Sequence, residues 1–161
     1  MTTSALLDSA RARLADAPRE GLGELVESRR ILGLGRAPRI VPRGSGWHLG
    51  VLLLTDDAVL ATGEILRART EARRGYTAES QRLRAELAAA ARRGGFDEAA
   101  IVHIGWRMLQ PDAVDRGEAS GPLALVDGVP SVRWSASGGF VPLERYLDER
   151  IELLAHPPAG A

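Results

Sequence analysis

Trp47-His48-Leu49-Gly50-Val51-Leu52-Leu53-Leu54 is the most apolar run in the chain, and Thr55-Asp56-Asp57-Ala58 and Val59 to Ala68 follow it directly. The run reads as a strand covered on both faces. Thr55 to Ala58 supplies turn residues. Beyond them Val59, Ala61, Gly63 and Ile65 oppose Leu60, Thr62, Glu64 and Leu66 at the two-residue period of a second strand. Together the two segments predict a β-hairpin.

On the carboxyl-terminal side, the arginine-rich connection from Arg67 to Tyr76 leads to Thr77 as a cap and to a helix through Ala91. The stripe of that helix, Leu83, Leu87, Ala90 and Ala91, is thin and suits close packing on a sheet. Arg92-Arg93-Gly94-Gly95 is a carboxyl-terminal stop. Ala100 to Met108 predicts another strand, with Ile101, His103, Gly105 and Arg107 on one face. Leu123 to Val126 and Val129 to Trp134 flank Asp127-Gly128, the strongest hairpin signal in the chain. Pro142 opens a last helix to Ala155, which buries Leu143, Tyr146, Leu147, Ile151 and Leu154. On the amino-terminal side a helix is expected from about Ala5 to Asp16, capped by Thr3 or Ser4, and a second, shorter one from Leu22 to Arg30. Arg39-Ile40-Val41 precedes a turn at Pro42-Arg43-Gly44-Ser45-Gly46.

This order argues against repeated βαβ units. It predicts an α+β fold in which an antiparallel, partly barrel-like sheet of about five or six strands carries helices packed on it. No linker divides the 161 residues, so a single domain over 1–161 is expected.

Composition removes several chemistries. The absence of cysteine excludes disulfides, thiolate metal ligands and thiol nucleophiles. Lysine is absent too, so all 21 basic residues are arginine and no phosphate loop ending in Gly-Lys-Ser/Thr exists. Gly33-Leu34-Gly35 and Gly44-Ser45-Gly46 lack the third glycine of a dinucleotide fingerprint and read as turns. The three histidines are isolated, which argues against a metal, and no cofactor is implied. A net charge of zero and an aromatic content of 4% disfavour nucleic-acid binding. No apolar run approaches membrane-spanning length and the first residues do not form a secretion signal, so a cytoplasmic protein is expected. Charge is uneven: Arg67 to Gly94 holds eight arginines and three glutamates, whereas Gly95 to Ala161 holds five arginines and ten acids. The two could meet within the fold or across a homo-oligomer.

The polar faces of the predicted strands carry His48, Glu64, His103, Arg107, Ser131, Arg133 and Ser135. If they converge, they supply bases, guanidinium groups and hydroxyls, the inventory of a site for a carboxylate or phosphate. Arg67, Arg69, Arg73 and Arg74 form the densest basic cluster and could grip a phosphate or an acidic partner. A non-enzymatic domain binding a small anion or a protein partner is the expected function. The alternative is a small amide or ester hydrolase using His103 with Ser131 or Ser135, so enzyme status stays open.

The stretches WHLGVLLLTDDAVLATGEILRA, GPLALVDGVPSVRW and PLERYLDERIELLAHPP, which span most of the chain, resemble a family of uncharacterised proteins of about 160 residues from GC-rich bacteria. Some of its members bear a glutaminase label, which implies hydrolysis of a side-chain amide. No residue carries over from known glutaminases, because their Ser-x-x-Lys or cysteine nucleophile needs residues this chain lacks.

Overall fold

A computed structural model describes residues 1–27, 35, 37–70 and 78–160. The expected features at Arg29, Arg30, Gly33, Leu34, Arg73, Arg74, Tyr76 and Thr77 lie outside them. The fold is α+β, and the chain divides into two compact units: residues 1–19, 46–62 and 106–161, and residues 20–45 and 63–105.

The first unit begins with α1 (Thr3–Arg13), whose Leu6, Leu7 and Ala10 are buried at helical spacing. Its N-cap is Thr2, not Thr3 or Ser4 as expected; the Thr2 hydroxyl accepts from the Ala5 N–H. A second cap comes from far away in sequence. The Asp115 carboxylate, at the end of α3 (Pro111–Asp115), accepts from the Thr3 N–H at 2.6 Å and from the Ser4 N–H at 3.2 Å. Burial raises the pKa of Asp115, but the donors of Thr3 and Ser4 outweigh that and hold it below the ordinary 3.8. The folded state therefore gains stability from ionised Asp115 above its unfolded pKa, and loses it as pH falls through the lower folded value. Asp115→Ala is expected to cost about 2 kcal/mol at neutral pH. Urea unfolding should show the gap between wild type and variant closing below about pH 4; a gap independent of pH would refute the ionic cap.

The apolar run at 47–54 is not one strand. β2 (Arg39–Leu49) passes through the predicted turn at 42–46 and ends at Leu49, and β3 (Leu52–Leu54) returns antiparallel, pairing Trp47 with Leu54 and Leu49 with Leu52. Gly50, at φ +65°, makes the reversal. The expected coverage holds: Leu52, Leu53 and Leu54 are all fully buried. The predicted turn at 55–58 leads to β4 (Val59–Ala61), antiparallel to β3, and Thr55 organises it through bonds with the N–H groups of Asp57 and Ala58. Arg19 lies 3.9 Å from the Trp47 ring centroid and also binds Asp56, whose pKa that hydrogen bond lowers.

The Asp127-Gly128 hairpin forms as expected. Both residues have positive φ and connect β8 (Leu123–Val126) to β9 (Val129–Arg133), which pairs in turn with β10 (Phe140–Pro142). The last helix, α4 (Leu143–Ala155), buries Leu143, Tyr146, Leu147 and Ile151. These join Leu7, Leu14, Leu49, Leu54 and Leu123 in one core.

The second unit departs further from expectation. The predicted helix at 22–30 is instead β1 (Glu20–Val26), which runs parallel to β6 (Ile101–Ile104) with Leu22 opposite His103. Packing overrides local propensity here, because Gly21 and Gly23 lie where any side chain would strike Phe96, Ile40 or Val102. Two predicted strands break at glycine. Val59 to Ala68 splits at Gly63 into β4 and β5 (Glu64–Arg67), and Ala100 to Met108 splits at Gly105, φ +67°, into β6 and β7 (Arg107–Met108). β5 pairs with β6 and β4 with β7. The helix α2 (Glu79–Gly94) ends at Gly95 as expected, with Ala90 and Ala91 buried beside Ile40, Phe96 and Val102. Leu83, assigned to its buried stripe, is 57% exposed.

The hydrogen-bonded strand order is β5-β6-β1-β2-β3-β4-β7, with β10-β9-β8 as a separate sheet. The β1–β6 pair makes the longer sheet mixed, not purely antiparallel as expected. Among the described residues β5 and β7 are the ends of that order and no barrel closes, and the strands exceed the five or six expected. Among the described residues no helix is long and apolar enough to cross a membrane.

Candidate functional site

The structure distributes the seven predicted residues over both units. In the first, the half-buried His48 has its Nε2 2.9 Å from the Gly50 carbonyl oxygen. Arg107 is exposed on β7, opposite Ala61. Ser131 is 4% exposed and its hydroxyl donates to the Val129 carbonyl at 3.0 Å. Arg133 lies 4.8 Å from the Phe140 ring centroid, and the Ser135 carbonyl accepts from the Gly138 N–H at 3.3 Å.

In the second unit, the β5–β6 register places Ile65 opposite His103 and Glu64 opposite Ile104. Glu64 and His103 therefore stand on opposite faces of the pair. His103 is fully buried, and its Nε2 lies 3.1 Å from a Glu20 carboxylate oxygen. That arrangement can hold a proton between imidazole and carboxylate. Glu20 was missed by sequence reasoning, because its position depends on the parallel register of β1 with β6. Glu20 directly precedes Gly21-Leu22-Gly23, and alternation around those glycines was the only signal that could have marked a strand there.

A groove of about 600 Å³ lies within the second unit, between β5 and the first turns of α2. One wall is β5 and the residues just after it, with Glu64, Arg67 and Arg69; the other is Gln81 and Arg84. Ala85 and Ala88 lie at i+4 and i+7 from Gln81, so these residues share one helix face. Small residues there let the strand come close. The Arg69 N–H donates to the Ala88 carbonyl at 3.1 Å, while fully buried Ala68 exchanges backbone hydrogen bonds with Ala99 and Ala100. The two strand arginines are thus mounted on a fixed backbone.

Charge is unbalanced in this groove. Elsewhere in the unit Arg43 pairs with Glu24 and Arg92 with Glu98. Among the described residues Arg67, Arg69 and Arg84 pair with no carboxylate, which leaves three guanidinium groups facing one Glu64. Planar guanidinium forks match carboxylate and phosphate oxygens two bonds at a time. Arg67 and Arg69 belong to the basic cluster expected from the sequence; Arg84 and Gln81 join them only through the packing of α2. No known protein family, curated protein or solved structure matches this chain.

Proposed function

We propose that the protein is a non-enzymatic binding domain that takes up a small anion in the groove between β5 and α2. The observation that carries this reading is the grouping of Arg67, Arg69 and Arg84 around one concave surface without carboxylate partners among the described residues. Such a set would cost self-repulsion with nothing bound, and an anion relieves it. Glu64, at the strand end, favours ligands that also bear a hydroxyl or ammonium donor over a bare anion.

A thermal-shift panel of phosphate, citrate, amino-acid and sugar-phosphate ligands tests the proposal. At about 100 times Kd a ligand is expected to stabilise by ~2.7 kcal/mol and to raise the melting temperature by about 5 to 10 °C. Arg84→Gln and Arg67→Gln should each weaken that ligand roughly tenfold. All three side chains are exposed, so the variants should melt within about 0.5 kcal/mol of wild type. A panel without any shift, or a shift untouched in Arg84→Gln, would remove the proposal. The ligand should be recovered chemically unchanged; amide or ester cleavage abolished by His103→Ala would favour the hydrolase instead.

A further inference from the structure

The first unit carries a second concave site of different chemistry. A cleft of about 290 Å³ is lined by Trp134, Val141, Arg145, Tyr146, Glu149 and Arg150. Trp134 follows β9 and is 49% exposed, an unusual state for an indole in a folded chain. It is also held in place. A Cβ at Gly138 would sit 3.1 Å from the indole Cε2 and 3.3 Å from Nε1, so the ring edge rests on backbone that only glycine leaves open. At the floor, Tyr146 is 3% exposed, and its hydroxyl donates to the Leu49 carbonyl and accepts from the Val51 N–H, both at 2.9 Å. The Arg150 guanidinium lies 5.2 Å from the Tyr146 ring centroid.

Charge separates the two arginines of the cleft. Arg145 donates to Glu149 at 2.9 Å, which neutralises that acid. Arg150 is half-buried and has no carboxylate partner among the described residues. Its central carbon lies over the Tyr146 ring, and among the described residues its N–H donors carry no hydrogen bond, which leaves them for a ligand. The cleft therefore offers one π face and one unspent guanidinium fork, in a volume at the low end for small-molecule sites.

From this geometry we propose that the cleft binds a single-ring aromatic carboxylate, the ring stacking on Trp134 and the carboxylate bridging to Arg150. The site lies wholly within the first unit and does not depend on the anion groove of the second.

The indole N–H signal of Trp134, assigned with Trp134→Phe, reports on binding in nitrogen-15 NMR spectra. Benzoate should shift that signal saturably with a Kd of about 1 mM, as befits a ligand of so few atoms. Cyclohexanecarboxylate, which keeps the charge, and benzamide, which keeps the ring, should each bind at least ~10-fold more weakly. Arg150→Gln should remove the benzoate preference over benzamide, with Arg150→Lys intermediate; in Trp134→Leu, which lacks the indole reporter, the backbone amide signals of Val141 and Tyr146 follow binding and should show no preference for benzoate over cyclohexanecarboxylate. The indole signal of buried Trp47 confirms that each variant is folded. Absence of a saturable shift by about 20 mM benzoate overturns the proposal. So does equal affinity for the three probes, or a response abolished by Arg84→Gln and kept by Arg150→Gln.

Discussion

Gly94→Ala is expected to destabilise the second unit by about 3 kcal/mol or more, a large effect for one methyl group. Gly94 ends α2 at the point where the helix lies against β2, and a Cβ there would collide with the carbonyl carbon and oxygen of Ile40. Both atoms belong to backbone. Ile40 is itself fully buried beside Ala90, Ala91, Phe96 and Val102, so relieving the collision means moving the helix off that cluster and opening voids in it. Gly139→Ala is the control: φ there is not positive and an added Cβ meets nothing within 4 Å. It should change stability by less than about 0.5 kcal/mol. Urea or thermal unfolding followed by circular dichroism checks both, and a wild-type midpoint for Gly94→Ala would show that the helix has room the structure denies it. The same displacement would carry Arg84 away from Arg67 and Arg69, so anion binding should weaken alongside stability.

Gly50→Ala should cost a comparable amount in the first unit, about 3 kcal/mol, through two effects acting together. The backbone at Gly50 has φ +65°, which costs a residue with a Cβ about 1 kcal/mol. The Cβ would also strike the Tyr146 hydroxyl and approach Arg150 Nε to 3.1 Å. That hydroxyl satisfies both the Leu49 carbonyl and the Val51 N–H, and displacing it strands polar groups at the end of β2, at about 1 to 3 kcal/mol. Tyr146→Phe isolates the second effect, since it removes the hydroxyl and leaves the turn. Its cost should fall short of that of Gly50→Ala by roughly the backbone strain, about 1 kcal/mol. Equal costs in the two variants would assign the whole effect to the hydroxyl.

Some of the architecture was legible because its causes are local. Asp127-Gly128 has positive φ at both positions, the conformation that Asp-Gly favours locally, so the hairpin joining β8 and β9 followed from two residues. Leu143, Tyr146, Leu147 and Ile151 repeat at helical spacing and are buried together on α4, and Gly95 closes α2 in the left-handed conformation. Arg67 and Arg69 stood out as a basic cluster for the same reason, being neighbours in sequence. Leu22 and Leu25 have helical spacing too, yet they lie on a strand, because Gly21 and Gly23 bring that strand within reach of Phe96 and Val102. Nothing within a few residues of Leu22 announces those partners.

The candidate sites divide along the same line. Sequence alone set which chemistries the chain can perform: guanidinium recognition with no lysine, no thiol and no phosphate loop. It also fixed the alternation that carries Glu64 and Arg67 on one strand. Tertiary packing decided which distant groups meet, setting α2 against β5 so that Arg84 joins Arg67 and Arg69, and holding Trp134 near Arg150. Backbone preferences act over a few residues, whereas strand partners and register are chosen by the burial of apolar surface between segments far apart in the chain.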